Sequence, residues 1–152
     1  MNNENPIFTI LEKVPLFKKL NKESAQLISN KITLEYYPAD HLLFSQGDQG
    51  DAMFIIKKGQ VKIFQGPQID EEEQVLLATL NDNAFFGEMA LVSEKPRNAS
   101  AMTLEESEIF VLKKDDFYTL INNNPSLAEQ ISSEFIHRIK ENMRNENFTA
   151  ND

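Results

Sequence analysis

The hydrophobic residues of this chain change their spacing twice, and that change limits the folds open to it. Over residues 6–14, Ile7, Ile10, Leu11 and Val14 fall on one helical face, with Asn5 placed as N-cap and Pro6 at the first helical position. Pro15 interrupts this helix, and a second helical stretch begins near Asn21, carrying Ala25, Leu27 and Ile28 toward a core. From Lys31 the spacing falls to two: Ile32, Leu34 and Tyr36 alternate with polar neighbours, as in a strand buried on one face. After the turn at Pro38, short apolar runs follow at His41–Ser45, Ala52–Lys58, Gln60–Gln65, Gln74–Leu80, Ala99–Thr103 and Glu108–Leu112, separated by Gly, Pro, Asp and Asn. Beyond Leu112 helical spacing returns, first over Asp115–Asn123 with Phe117, Leu120 and Ile121. It continues over Ser126–Arg144, where Leu127, Ile131, Phe135, Ile139 and Met143 lie four apart.

Short strands at regular spacing close on themselves or pack in pairs, because a lone sheet of this size leaves edges and an apolar face in water. The expected class is therefore α+β, mainly β: a compact antiparallel barrel between helical ends. With 152 residues, the chain is expected to form one domain. Its parts are a helical segment at 1–30, a β body at 31–113, helices at 114–145 and a frayed tail at 146–152. The acidic stretch Gln68–Glu73 reads as a hairpin loop. Asn124-Pro125 marks the start of the last helix, and Ser126 with Glu129 offers an alternative capping box.

Charge and composition remove several function classes. A formal net charge of -9 opposes a polyanionic partner such as nucleic acid, whose binding depends on many Lys and Arg contacts to phosphates. A single small anion is still admissible, since one arginine and a few backbone N–H groups can create a local positive site. Cysteine is absent, so disulfides, thiol nucleophiles and Cys-based metal sites are excluded. No run of about 18 apolar residues suggests a membrane span, and the first residues lack a secretory pattern, so the expected compartment is the cytoplasm.

One of only five glycines stands in Phe86-Gly87-Glu88-Met89-Ala90-Leu91, and Pro96-Arg97-Asn98-Ala99-Ser100 follows a few residues later. Gly87 interrupts any strand and the next four residues favour helix, which predicts one helical turn inside a β region. Backbone donors at that turn, with the Arg97 guanidinium opposite, suit one phosphate. A carboxylate beside a phosphate would repel it, so Glu88 is expected to accept from sugar hydroxyls instead. Phosphate and ribose together point to a nucleotide.

These two segments resemble the phosphate-binding cassette of cyclic nucleotide-binding domains, a family that includes the regulatory subunits of cAMP-dependent protein kinase, cyclic nucleotide-gated channels and the bacterial catabolite activator. Gln46-Gly47-Asp48, Gly50-Asp51, Phe54-Ile55-Ile56 and Gly59-Gln60-Val61 are similar to the family's glycine-punctuated early strands. The resemblance implies a β-roll with flanking helices and a cassette over 86–100. It also implies that Glu88 accepts the ribose 2′-hydroxyl, Arg97 pairs with the cyclic phosphate, and the backbone around Gly87, Ala90 and Ala99 donates to the ligand, with Phe86, Met89, Leu91 and Asn98 as further ligand-binding residues. Asn98 departs from the Ala, Ser or Thr the family often carries there. Because the hydroxyl associated with cGMP is missing, the expected ligand is cAMP, with cGMP the alternative. The last helix closes over the base in the family, which makes Phe135, Ile136, Ile139 and Met143 candidate lid contacts, against plain packing for the same apolar stripe.

Two other readings compete. A metal-dependent barrel enzyme would cluster imidazoles, whereas the only histidines, His41 and His137, form no paired motif, and Ser93 and Ser100 lack an evident histidine partner. A nucleotide-independent scaffold would not need Glu88 and Arg97. The expectation is a non-enzymatic sensor acting on a downstream protein, through ligand-linked movement of the C-terminal helices. No helix-turn-helix, kinase motif or channel is evident, so the chain reads as a stand-alone sensor or a part of something larger.

Overall fold

Each change of hydrophobic spacing becomes a change of element. The computed structural model describes residues 6–131 and 133–150, so the expected Asn5 cap and the last two tail residues lie outside the described residues. Two short helices, α1 (Pro6–Leu11) and α2 (Lys22–Ser29), precede the strands β1 (Thr33–Tyr37), β2 (Leu42–Phe44), β3 (Ala52–Lys58), β4 (Val61–Gln65) and β5 (Val75–Leu80). There follow β6 (Phe85–Phe86), β7 (Ser100–Thr103), β8 (Ser107–Lys113), α3 (Lys114–Asn123), α4 (Pro125–Glu129) and α5 (Ser133–Ala150). The strands form two four-stranded antiparallel sheets, in the orders β1-β8-β3-β6 and β2-β7-β4-β5. The architecture is the α+β class expected, mainly β, an antiparallel roll with helices at both ends. β6 was not anticipated: it is only two residues long and exists through pairing of Phe86 with Phe54 and Phe85 with Ile55.

β3 and β8 carry apolar residues on both faces. Ala52, Phe54 and Ile56 with Ile109 and Val111 fill the interior of the roll, where Val61, Phe86 and Ala101 meet them. Met53, Ile55 and Leu112 point the other way, into a second core made with α1, α2 and the C-terminal helices. Successive side chains of a strand alternate faces, so a strand packed on both sides must be apolar throughout, as Ala52–Ile56 is.

The alternation in β1 is the one expected, but the face it defines is not covered along its whole length. Leu34 opposes Phe110 on the helical side, but Tyr36, opposite Glu108 on that same side, is 69% exposed because the helical cover does not reach it. Tyr37 instead packs against the roll interior, and its hydroxyl donates to the Glu35 carboxylate.

The expected single helix over Ser126–Arg144 is two. α4 ends at Glu129, and the Ile131 amide bonds the Ala128 carbonyl at 3.2 Å in a tight turn. Gln130 stabilises the break: its side-chain carbonyl accepts from the Asn21 amide at 2.7 Å and its amide donates to the Ser126 carbonyl at 3.0 Å. Asn21 is the N-cap of α2, its side chain accepting from the Ser24 amide at 2.9 Å, so one glutamine ties the two helical ends of the chain together. The break buries both Leu127 and Ile131, and serine in this stretch is a weak helix-interior residue. α5 then extends to Ala150, past the residue at which the tail was expected to fray.

The helical core depends on Phe117 of α3, which is fully buried and meets Phe17 edge-on at 5.7 Å. Replacing Phe117 with Ala is expected to remove about 3–5 kcal/mol of stability, seen in urea denaturation as a lower midpoint with an unchanged slope. A loss below about 1 kcal/mol would show that this core can collapse around the gap.

Candidate functional site

Gly87 begins the site because the chain turns there through φ +73°, a left-handed conformation that other residues adopt with strain. The next residues make the single helical turn expected, a 3-10 turn over Glu88–Leu91 in which the Ala90 amide bonds the Gly87 carbonyl at 3.2 Å. This turn has two sides. Glu88, Met89 and Ala90 line a cavity of about 430 Å³, while Leu91 is fully buried in the helical core and lies outside the cavity wall.

Arg97 enters the same cavity from the strand-like segment before β7. Its backbone is fixed by the early loop, with its amide donating to the Asp48 carbonyl at 2.7 Å and its carbonyl accepting from the Gly47 amide at 2.8 Å. Its guanidinium reaches back to the β3 end, Nη2 donating to the Ala52 carbonyl at 2.7 Å and Nη1 to the Gly87 carbonyl at 3.2 Å. The Cζ atom lies 4.0 Å from the centre of the Phe44 ring. Burial lowers the affinity of this guanidinium for its proton, and the nearby carboxylates of Asp51, Asp48 and Glu88 oppose that shift. Nε is buried and has no hydrogen-bond partner.

Phe86, Gly87, Glu88, Met89, Ala90, Arg97, Asn98 and Ala99 are thus brought to one cavity, whereas Leu91, expected among the ligand-binding residues, is not, because the 3-10 turn points it into the helical core. Phe135, Ile136, Ile139 and Met143 are not: all four belong to the helical core or pack against it, and none lines the cavity. Several wall residues went unread. Phe44 closes one side from β2, and Ile63 contributes from β4. Gly50 lets the early loop approach the 3-10 turn, since a Cβ at that position would stand 2.7 Å from Ala90 Cβ. Its glycine was visible in sequence as punctuation, whereas Phe44 and Ile63 looked like ordinary strand residues.

Behind the cavity a polar network joins the cassette to the helices. Lys114 is 6% exposed, and its Nζ donates to the Glu94 carboxylate at 2.9 Å and the Ser93 carbonyl at 3.3 Å. Asn142 of α5 donates to the Tyr118 hydroxyl at 2.9 Å and to the Val92 carbonyl at 3.4 Å. Burial pushes the Tyr118 phenol above its ordinary pKa, so it stays protonated. The serines and histidines have structural partners: Ser93 Oγ accepts from the Lys95 amide, Ser100 Oγ from the Gln46 amide, His41 lies against Tyr37, and His137 pairs with Glu141 on the surface of α5. Among the described residues, no group of three His, Asp or Glu side chains is arranged to hold a metal ion, and no helix is long and apolar enough to cross a membrane.

A family model described as Cyclic nucleotide-binding domain matches residues 34–124. The chain is 32% identical over 127 residues to the Cyclic AMP receptor protein of Thermus thermophilus, covering 84% of this chain and 58% of that protein. It is 34% identical over 128 residues to the cGMP-dependent protein kinase, isozyme 1, of Drosophila melanogaster, covering 84% of this chain and 16% of the kinase. The chain therefore spans less than two thirds of the length of either relative. The regulatory domain of Toxoplasma gondii PKA, solved with cAMP, matches with a TM-score of 0.66 at 21% identity over 75% of this chain and 42% of that one, a likeness of fold.

Substituting Ala for Gly87 forces the left-handed turn on a residue that disfavours it and puts a Cβ 2.7 Å from Arg97 Nη1. The expected cost is roughly 1–3 kcal/mol. Thermal unfolding should show it as a Tm about 3–10 °C lower, and an unchanged Tm would contradict the strained geometry.

Proposed function

We propose, since this chain belongs to the cyclic nucleotide-binding domain family, that it binds a 3′,5′-cyclic nucleotide in the cavity between Gly87–Ala90 and Arg97 and acts as a regulatory sensor with no catalysis of its own. The observation that carries this reading is the Nε of Arg97, a buried donor without a partner at a cavity wall. Leaving a buried donor unsatisfied costs about 1–3 kcal/mol, so a native protein keeps one chiefly where an incoming group will use it. One cyclic phosphate oxygen satisfies that donor and the guanidinium charge together. Glu88, on the same wall, accepts from the ribose 2′-hydroxyl, where an uncharged partner avoids the repulsion a phosphate would bring.

The ligand favoured is cAMP. At Asn98 the chain lacks the hydroxyl associated with guanine recognition, and the carbonyl of that residue is held by Gln65 Nε2 at 2.8 Å, which fixes the backbone of the wall. cGMP is the alternative, and the relatives are named for both nucleotides.

Binding is transmitted to the C-terminal helices by the far side of the cassette. Leu91 and Val92 are buried in or against the helical core, and Asn142 bonds the Val92 carbonyl, so a shift of the 3-10 turn is felt by α5. The ligand moves a pre-existing equilibrium by its differential affinity for two placements of the helices, and a downstream protein reads the result.

Arg97→Ala is expected to weaken cAMP binding about thirtyfold or more, on the order of 2–5 kcal/mol, measured by displacement of a fluorescent cyclic nucleotide from folded protein. A change below about threefold would remove Arg97 from the phosphate role. For the coupling, hydrogen exchange on α5 should respond to cAMP in the unmodified chain, and the response should shrink severalfold in Asn142→Ala. An equal response in both would place the coupling elsewhere.

A further inference from the structure

Two carbonyls fix the Arg97 guanidinium only along one line. Ala52 and Gly87 accept from Nη2 and Nη1 at 2.7 and 3.2 Å, which leaves the group free to swing about the line joining those two oxygens. The carboxylates of Asp51, Asp48 and Glu88 all attract it, and a swing toward any of them would take the group off its present seat at the cavity wall. Phe44 blocks that swing. Its ring lies 4.0 Å from Cζ, the distance of a planar cation resting on an aromatic face, and Phe54 stands behind at 5.9 Å from the same atom.

The ring itself is held. Phe44 ends β2, pairs with Ala101 of β7, and leans on Phe54 at 5.6 Å and Phe86 at 6.1 Å, which stack on each other at 5.1 Å with 14° between their planes. Three aromatic rings from β2, β3 and β6 thus form one rigid block beneath a single arginine. Aliphatic side chains would fill the same space, but only an aromatic face attracts the cation.

We propose that Phe44 is a positioning residue for ligand binding: its ring holds the Arg97 guanidinium by cation–π contact at the cavity wall where the phosphate arrives. This rests on the reading of the cavity as a cyclic nucleotide site.

Two measurements on the full chain separate that reading from the role of Phe44. In the ligand-free protein, the Arg97 Nε–H resonance, assigned by its loss in Arg97→Lys, should be displaced by the ring current, keep its displacement in Phe44→Tyr and lose it in Phe44→Leu. With cAMP as probe, Phe44→Leu should bind about five- to twentyfold more weakly and Phe44→Tyr within about twofold of the unmodified chain. In an Arg97→Ala background, Phe44→Leu should add less than about a twofold loss, since the group it orients is gone. If Phe44→Tyr is as weak as Phe44→Leu, or the Leu penalty persists without Arg97, the ring only packs and the proposal is overturned. If neither cAMP nor cGMP binds while the Arg97 resonance still follows the Phe44 ring, the orientation holds and the nucleotide reading fails.

Discussion

The pairing of β3 with β8 bears most of the structure, because it is buried from both sides. Its inner face supplies Phe54, Ile56, Ile109 and Val111 to the roll, and its outer face supplies Met53, Ile55 and Leu112 to the helices. A strand pair so placed cannot shift register by one residue without exchanging two cores, which fixes both layers at once. The site inherits that rigidity. Ala52, the first residue of β3, presents the carbonyl that holds Arg97, and Phe54, two residues on, stands in the aromatic block beneath it.

On this frame the 3-10 turn lies between two environments. Four consecutive residues, Glu88–Leu91, divide between the ligand-sized cavity and an apolar core, and the segment after them is tied to α3 and α5 by Lys114 and Asn142. Lys114 is nearly inaccessible, so its ion pair with the partly exposed Glu94 combines a desolvated cation with an accessible carboxylate. Breaking a pair of that kind from one side is more damaging than its net contribution suggests, because a buried charge is left behind.

The parts of the site that lie close together in sequence were legible there. Gly87, Glu88 and Arg97 sit within eleven positions of one another; Gly87 answers the requirement for a left-handed turn, and Glu88 and Arg97 come to the wall of the same cavity. The strands were legible from alternation wherever one face met water. What escaped were features made by distant residues. β6 has no pattern of its own, Phe44 meets Arg97 only after β2 pairs with β7, and Asn142 meets Val92 across 50 positions. The break after α4 was hidden by a helical stripe that continues through it, since Leu127 and Ile131 are buried on either side of the turn. Tyr36 misled for the opposite reason: its alternation was right, but the helices covering that face stop short of it.

In the proposed reading the half-buried Arg97, with its Nε unsatisfied, takes up a cyclic phosphate. Calorimetric titration of nucleotide-free protein with cAMP and, in parallel, cGMP tests it most directly. Saturable one-to-one binding with cAMP the tighter ligand is the expected result; no heat with either nucleotide at high micromolar concentration, using protein shown to be free of bound ligand, would contradict it.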